Sequence, residues 1–147
     1  MKKALCIGID SYELLNDLHG CVNDANEVKV VLERHGDETK NFDVKLLTAT
    51  SESSYITRNE LKDSIRELFS GDSDISLLYF AGHGSIDEYG GYICSSECSR
   101  GDDGLSLDEI MSIVAQSKAK NKVVILDSCF SGNIGEIHEM KNYSILK

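Results

Sequence analysis

The sequence predicts an α/β protein: three layers, αβα, with a mainly parallel central sheet and helices on both faces. Two observations carry this expectation. Four short strand-like runs stand out, residues 3–9, 42–47, 75–81 and 122–126; the first, third and fourth are near-continuously apolar, the pattern of strands buried on both faces. Between them lie segments whose apolar residues recur at helical spacing, and repeated strand–helix units of this size close into a parallel sheet through crossover connections.

The first run ends in the turn-rich segment Gly8-Ile9-Asp10-Ser11-Tyr12. Residues 22–35 then carry Val22, Ala25, Val28, Val31 and Leu32 on a helical face, with Gly36 as the expected stop. After the second run, Thr57 followed by Glu60 is a capping-box pattern, and Leu61, Ile65, Leu68 and Phe69 supply a buried stripe up to Gly71. The third run is followed by residues 85–104, rich in Gly, Ser and acids, with Gly90-Gly91-Tyr92-Ile93-Cys94 as a short hairpin arm. Ser106-Leu107-Asp108-Glu109 repeats the capping-box pattern, and Leu107, Ile110, Met111 and Val114 form another helical face. Beyond Gly132 there are two apolar pairs, Ile134/Ile137 and Ile145/Leu146, and no further clear strand. A sheet ending on residues 122–126 would leave an open edge, so the expectation is of a fragment, or of a further piece that completes it.

Composition narrows the function. At 147 residues with 41% hydrophobic content the chain fits one domain over 1–147 with one core, and no repeat, linker or low-complexity tract divides it. A net charge of −10 argues against a nucleic-acid partner, which requires clustered Lys and Arg. No apolar run approaches the roughly 20 residues needed to span a bilayer, and the segment after Met1-Lys2-Lys3 is too short for a secretory signal, so a cytoplasmic protein is expected. Five cysteines, an odd number, then read as reduced thiols. Cys94 and Cys98 lack the second pair that a structural zinc site needs.

The chemistry sits where two apolar runs stop. One ends in Tyr79-Phe80-Ala81-Gly82-His83-Gly84, the other in Asp127-Ser128-Cys129-Phe130-Ser131-Gly132. Parallel sheets place their chemistry at the carboxyl ends of strands, and a thiol and an imidazole on neighbouring strand ends are what a cysteine nucleophile and its general base require. Cys129 would attack a peptide carbonyl, His83 would raise its thiolate fraction and then protonate the leaving amine, and the N–H groups of Gly84 and Cys129 would form the oxyanion hole. The plainer alternatives are a packing cysteine and a turn histidine. A receiver-like or nucleotide-binding domain with Asp10 as ligand lacks the Gly-x-x-x-x-Gly-Lys loop and a matching lysine at a later strand end.

These two motifs resemble the catalytic motifs of the caspase-like cysteine peptidases, in the metacaspase and bacterial caspase-homologue branch. Ala4-Leu5-Cys6-Ile7-Gly8-Ile9-Asp10-Ser11-Tyr12 and Leu18-His19-Gly20-Cys21-Val22-Asn23-Asp24-Ala25 resemble that branch's opening, and His83 precedes Cys129 by 46 residues, near the roughly 50 of caspases. The resemblance implies the caspase–haemoglobinase fold, a His83–Cys129 dyad, and a large catalytic subunit whose small-subunit strands are missing or on another chain.

Animal caspases carry Gln-Ala-Cys, whereas this chain has Asp127-Ser128-Cys129. By the resemblance Asp127 and Asp24 line a pocket for a basic residue, which implies cleavage after Arg or Lys. Two carboxylates in a partly closed pocket favour such a cation and reject an acid. The alternatives are a helix N-terminal acid for Asp24 and a turn carboxylate for Asp127. Ala81 replaces a serine found in some metacaspases.

Asp108, Glu109 and Glu136 resemble calcium-binding acids of several metacaspases. However, Ile93-Cys94 stands where another aspartate is expected, and calcium takes roughly six to eight oxygens, so helix capping is preferred and no cofactor is expected. The resemblance further implies a zymogen in a microbial immune (antiviral) or cell-death pathway, released by a sensor or regulatory partner or by autoprocessing. Ending at Lys147 fits self-cleavage after a basic residue and fits an arbitrary boundary equally. Expected partners are therefore a peptide substrate and a regulatory or small-subunit segment, with no nucleic acid and no membrane. The alternative function is a catalytically silent scaffold on the same fold.

Overall fold

A computed structural model describes residues 1–100, 102–128, 130–131 and 144–146, the last two segments by their backbone alone. In chain order the elements are β1 (Lys2–Ile9), α1 (Cys21–Glu33), β2 (Asp43–Ala49), a 3-10 turn (Glu52–Ser54), α2 (Arg58–Leu68), β3 (Ile75–Ala81), β4 (Gly84–Asp87), β5 (Gly90–Ile93), β6 (Leu105–Ser106), α3 (Leu107–Gln116), β7 (Asn121–Asp127), β8 (Phe130–Ser131) and β9 (Ser144–Leu146). The main sheet has the order β2-β1-β3-β7-β9, and each of its pairings is parallel. A smaller sheet, β6-β5-β4-β8, stands beside it.

Both faces of β1 and β3 are covered, which is why they read as near-unbroken apolar runs, whereas β2 at the sheet's edge exposes Asp43 and Lys45. Leu5, Ile7, Ile9, Leu78, Phe80, Val124 and Leu126 point to one face, where they pack with Leu61, Ile65, Ile110 and Val114 of α2 and α3. Ala4, Cys6, Leu77, Tyr79 and Ala81 point to the other, against Ala25, Val28 and Leu32 of α1. The expected three-layer α/β architecture is the one observed.

Local chemistry accounts for the helix ends, with two departures from expectation. α2 forms the full reciprocal capping box between Thr57 and Glu60. α3 forms half of one: Ser106 accepts the Glu109 N–H at 3.1 Å, but the Glu109 carboxylate turns to Arg58, at 2.7 Å, and to Lys62. That carboxylate ties α3 to α2, and the two cations hold its ionisation below the ordinary glutamate range. α1 stops before Gly36, because Arg34 turns extended and bridges to Lys40 while Asn41 and Phe42 donate to the carbonyls of Glu33 and Leu32. The strand expected to be absent near the end of the chain exists: Ser144, Ile145 and Leu146 pair in parallel with Val123, Val124 and Ile125 and cover the edge of β7. Three residues are too few to show a strand pattern in sequence. No helix among the described residues is long and apolar enough to cross a membrane.

α1 sits against β1 only because Gly8 has no side chain. A Cβ there would lie 2.5 Å from the Cys21 carbonyl oxygen and 2.8 Å from Val22 Cα, both backbone atoms that cannot swing away. Gly8→Ala should therefore cost about 1–3 kcal/mol of stability in urea denaturation. Gly36→Ala, with nothing within 4 Å, should stay within about 0.5 kcal/mol. Equal effects at the two positions would contradict this packing.

Candidate active site

The strand order reverses direction after β1. From β1 the chain passes through α1 to β2 on one side, whereas β3 leads on toward β7 on the other. The segments leaving the carboxyl ends of β1 and β3 therefore diverge, and such a switch point opens a crevice. His83 lies on the β3 side of it.

The β1 side is a loop held by its own hydrogen bonds. Asp17 accepts the Tyr12 N–H at 2.9 Å, Leu18 N–H donates to the Asp10 carbonyl at 2.8 Å, and Glu13 N–H donates to the Ser96 carbonyl at 2.8 Å. Asp10, weighed above as a ligand, instead caps α1: its carboxylate accepts from Cys21 N–H at 2.9 Å and from Val22 N–H at 3.4 Å, where Gly20 offers no side chain.

This loop grips the histidine twice. The His83 N–H donates to the Tyr12 hydroxyl at 2.7 Å, and the two rings meet edge-on with centroids 4.6 Å apart. His83 Nε2 lies 2.7 Å from the Asn16 carbonyl oxygen. A carbonyl only accepts, so Nε2 carries the proton and Nδ1 is the basic nitrogen of the neutral ring. Gly82 allows the approach, since a Cβ there would sit 2.6 Å from the Tyr12 hydroxyl. Burial pushes the Tyr12 phenol well above its ordinary ionisation range, so it stays neutral.

Cys129 lies outside the described residues, and its neighbours define the path of the chain on either side. Ala81 at the end of β3 pairs with Asp127 at the end of β7. Three residues on, Gly84 in β4 pairs with Phe130 in β8, again in parallel. The chain thus leaves the sheet side by side at 81 and 127 and runs side by side again at 84 and 130. Gly84, expected in an oxyanion hole, opens β4 between Phe130 and Ile93.

One of the two candidate pocket acids is held by a residue that the sequence reading missed. The Tyr79 hydroxyl donates to Asp127 Oδ2 at 2.8 Å. Burial, then that hydrogen bond and the charges of Asp127 and Asp24, push the phenol well above its ordinary range. Asp127 at the end of β7 accepts from that hydroxyl, and Asp24 in the first turn of α1 adds its charge.

No three His, Cys, Asp or Glu side chains among the described residues gather as a metal-ligand set. Of the calcium candidates, Asp108 is exposed, Glu109 is engaged by Arg58 and Lys62, and Glu136 lies outside the described residues. Cys98, weighed for zinc, donates its thiol to Asp103 at 2.9 Å, and the Cys6 thiol is pushed up to about 11 by burial.

Tyr12, Asn16 and Tyr79 left no motif of their own, because two act through backbone atoms of distant segments and the third reads as strand filling. The Tyr12 contact is testable by itself. Tyr12→Phe should strand the His83 N–H and lower stability by about 1–3 kcal/mol in urea denaturation. Unchanged stability would contradict this account of how the histidine is held.

Residues 1–144, which hold both motif-bearing strand ends, match one family model, Caspase domain. The chain is 31% identical to Metacaspase-6 of Arabidopsis thaliana over 149 residues, which is 90% of this chain and 39% of that protein. It is 29% identical to Metacaspase-1 of Candida albicans over 160 residues, 95% of this chain and 35% of that protein. It is 30% identical to Metacaspase-1 of Schizosaccharomyces pombe over 100 residues, 62% of this chain and 24% of that protein. The chain thus spans well under half the length of these curated relatives. Together with the parallel αβα sheet, the match makes this chain a member of the caspase-domain family of cysteine peptidases.

Proposed function

We propose that this chain carries cysteine endopeptidase chemistry, hydrolysing peptide bonds after arginine or lysine through Cys129 and His83. One observation supports the reading above the others: the pairings of Ala81 with Asp127 and of Gly84 with Phe130 bracket the histidine and cysteine motifs on both sides.

In this reading Cys129 passes its proton to His83 Nδ1, and the thiolate attacks the carbonyl carbon of the scissile bond. The N–H groups of Gly84 and Cys129 receive the developing oxyanion. The imidazolium returns its proton to the leaving amine, and water then hydrolyses the thioester to release the acid and regenerate the thiol. The Asn16 carbonyl holds the Nε2 proton throughout, the orienting role that a carboxylate plays in other triads. Asp24 and Asp127 receive the basic side chain before the cleaved bond, a role that rests on the resemblance and, for Asp127, on a carboxylate held at the end of β7 by the Tyr79 hydroxyl. A regulatory or sensor partner, small-subunit strands and a place in microbial immunity or cell death belong to the same proposal and rest on the resemblance.

Fluorogenic peptides ending in Arg, Lys or Asp test it. Arg and Lys peptides should be turned over at least about a hundredfold faster than the Asp peptide, since a like charge in the pocket costs several kcal/mol. Cys129→Ala should abolish turnover, and His83→Ala should lower it about 10²–10⁴-fold. Faster cleavage of the Asp peptide would overturn the pocket, and turnover by Cys129→Ala would overturn the nucleophile.

A further inference from the structure

Asp127 is exposed at the end of β7, yet one of its oxygens is bonded from within the sheet. The donor, Tyr79, is 5% exposed and packs on the α1 face of β3. In register Tyr79 lies beside Ile125, so its long side chain runs along the sheet to reach the carboxylate two residues further on. Ala81, next on the same face, brings no polar atom to the site. An exposed aspartate at a strand end ordinarily samples several rotamers, and a hydrogen bond from a rigid buried phenol removes that freedom before any ligand arrives.

We infer that Tyr79 is a specificity-determining positioning residue, whose hydroxyl fixes the Asp127 carboxylate in the orientation that receives a guanidinium or ammonium group. The inference rests on the basic-residue pocket proposed above and deepens it. The phenol holds Oδ2, and the incoming cation takes the carboxylate's remaining lone pairs. Because burial keeps the phenol neutral, it donates throughout the range in which the aspartate is charged. The gain lies in preorganisation, so it belongs to binding of the basic side chain and not to the acyl chemistry.

Tyr79→Phe tests this directly, since it keeps the ring that packs against α1 and removes only the hydroxyl. For a peptidyl-arginine substrate KM should rise roughly tenfold, the effect of one hydrogen bond to a charged group, while kcat stays within about twofold. The inhibition constant of benzamidine, an amidinium that fills such a pocket without entering the chemistry, should rise in parallel. In an Asp127→Asn background, Tyr79→Phe should add no more than about twofold, because the two residues act as one unit. An unchanged KM and benzamidine constant, or the same loss in both backgrounds, would overturn the inference. If Asp127→Asn alone leaves peptidyl-arginine kinetics unchanged, the basic pocket itself falls. If Asp127→Asn is costly while Tyr79→Phe is silent, only the role of Tyr79 falls.

Discussion

The constraint on which the rest depends is the parallel register of β3 with β7, renewed by β4 with β8. A parallel sheet sends every strand's carboxyl end to the same rim, and a register that pairs Ala81 with Asp127 makes two motif-bearing segments leave that rim together. The second pairing, Gly84 with Phe130, prevents them from diverging after they leave. Neither pairing depends on a catalytic side chain. The geometry follows from apolar packing of Leu78, Phe80, Val124 and Leu126 on one face and of Leu77, Tyr79 and Ala81 on the other. A slip of one residue would exchange these two sets between faces, so the burial that holds the sheet also fixes the site.

Around this frame the loop after β1 supplies what the strands cannot. Its backbone is anchored by Asp17, Asp10 and Ser96, and it presents a phenol hydroxyl and a main-chain carbonyl to His83. Orientation of the ring therefore comes from a neutral carbonyl in place of a buried carboxylate, which avoids taking another charge out of water. Gly8 and Gly82 serve the same end, because each removes a Cβ that would collide with a backbone or hydroxyl group on the opposite segment.

Much of this was legible in the sequence for a physical reason: strands buried on both faces must be apolar throughout, and helices on a sheet must repeat at their own period. β3 has the bounds that its apolar run predicts, and Thr57, Ser106 and the apolar positions of α2 and α3 follow local rules. What stayed hidden depends on partners distant in sequence. The end of α1 is set by the Arg34–Lys40 bridge and not by Gly36, and Glu109 abandons its capping box for two cations on α2. β9 is too short to announce itself. At the site, His83 and Asp127 stood out by type and position, whereas Tyr12, Asn16 and Tyr79 act through contacts that no spacing rule encodes.

The central claim is that the imidazole of His83 and the thiol of Cys129 share one proton. The most direct measurement is the rate at which iodoacetamide alkylates Cys129, followed by peptide mass mapping at a pH well below the free-thiol value of about 8.5. The account predicts that the wild-type protein reacts at least about tenfold faster than His83→Ala under these conditions, because only the wild type keeps a thiolate there. Equal rates would contradict it.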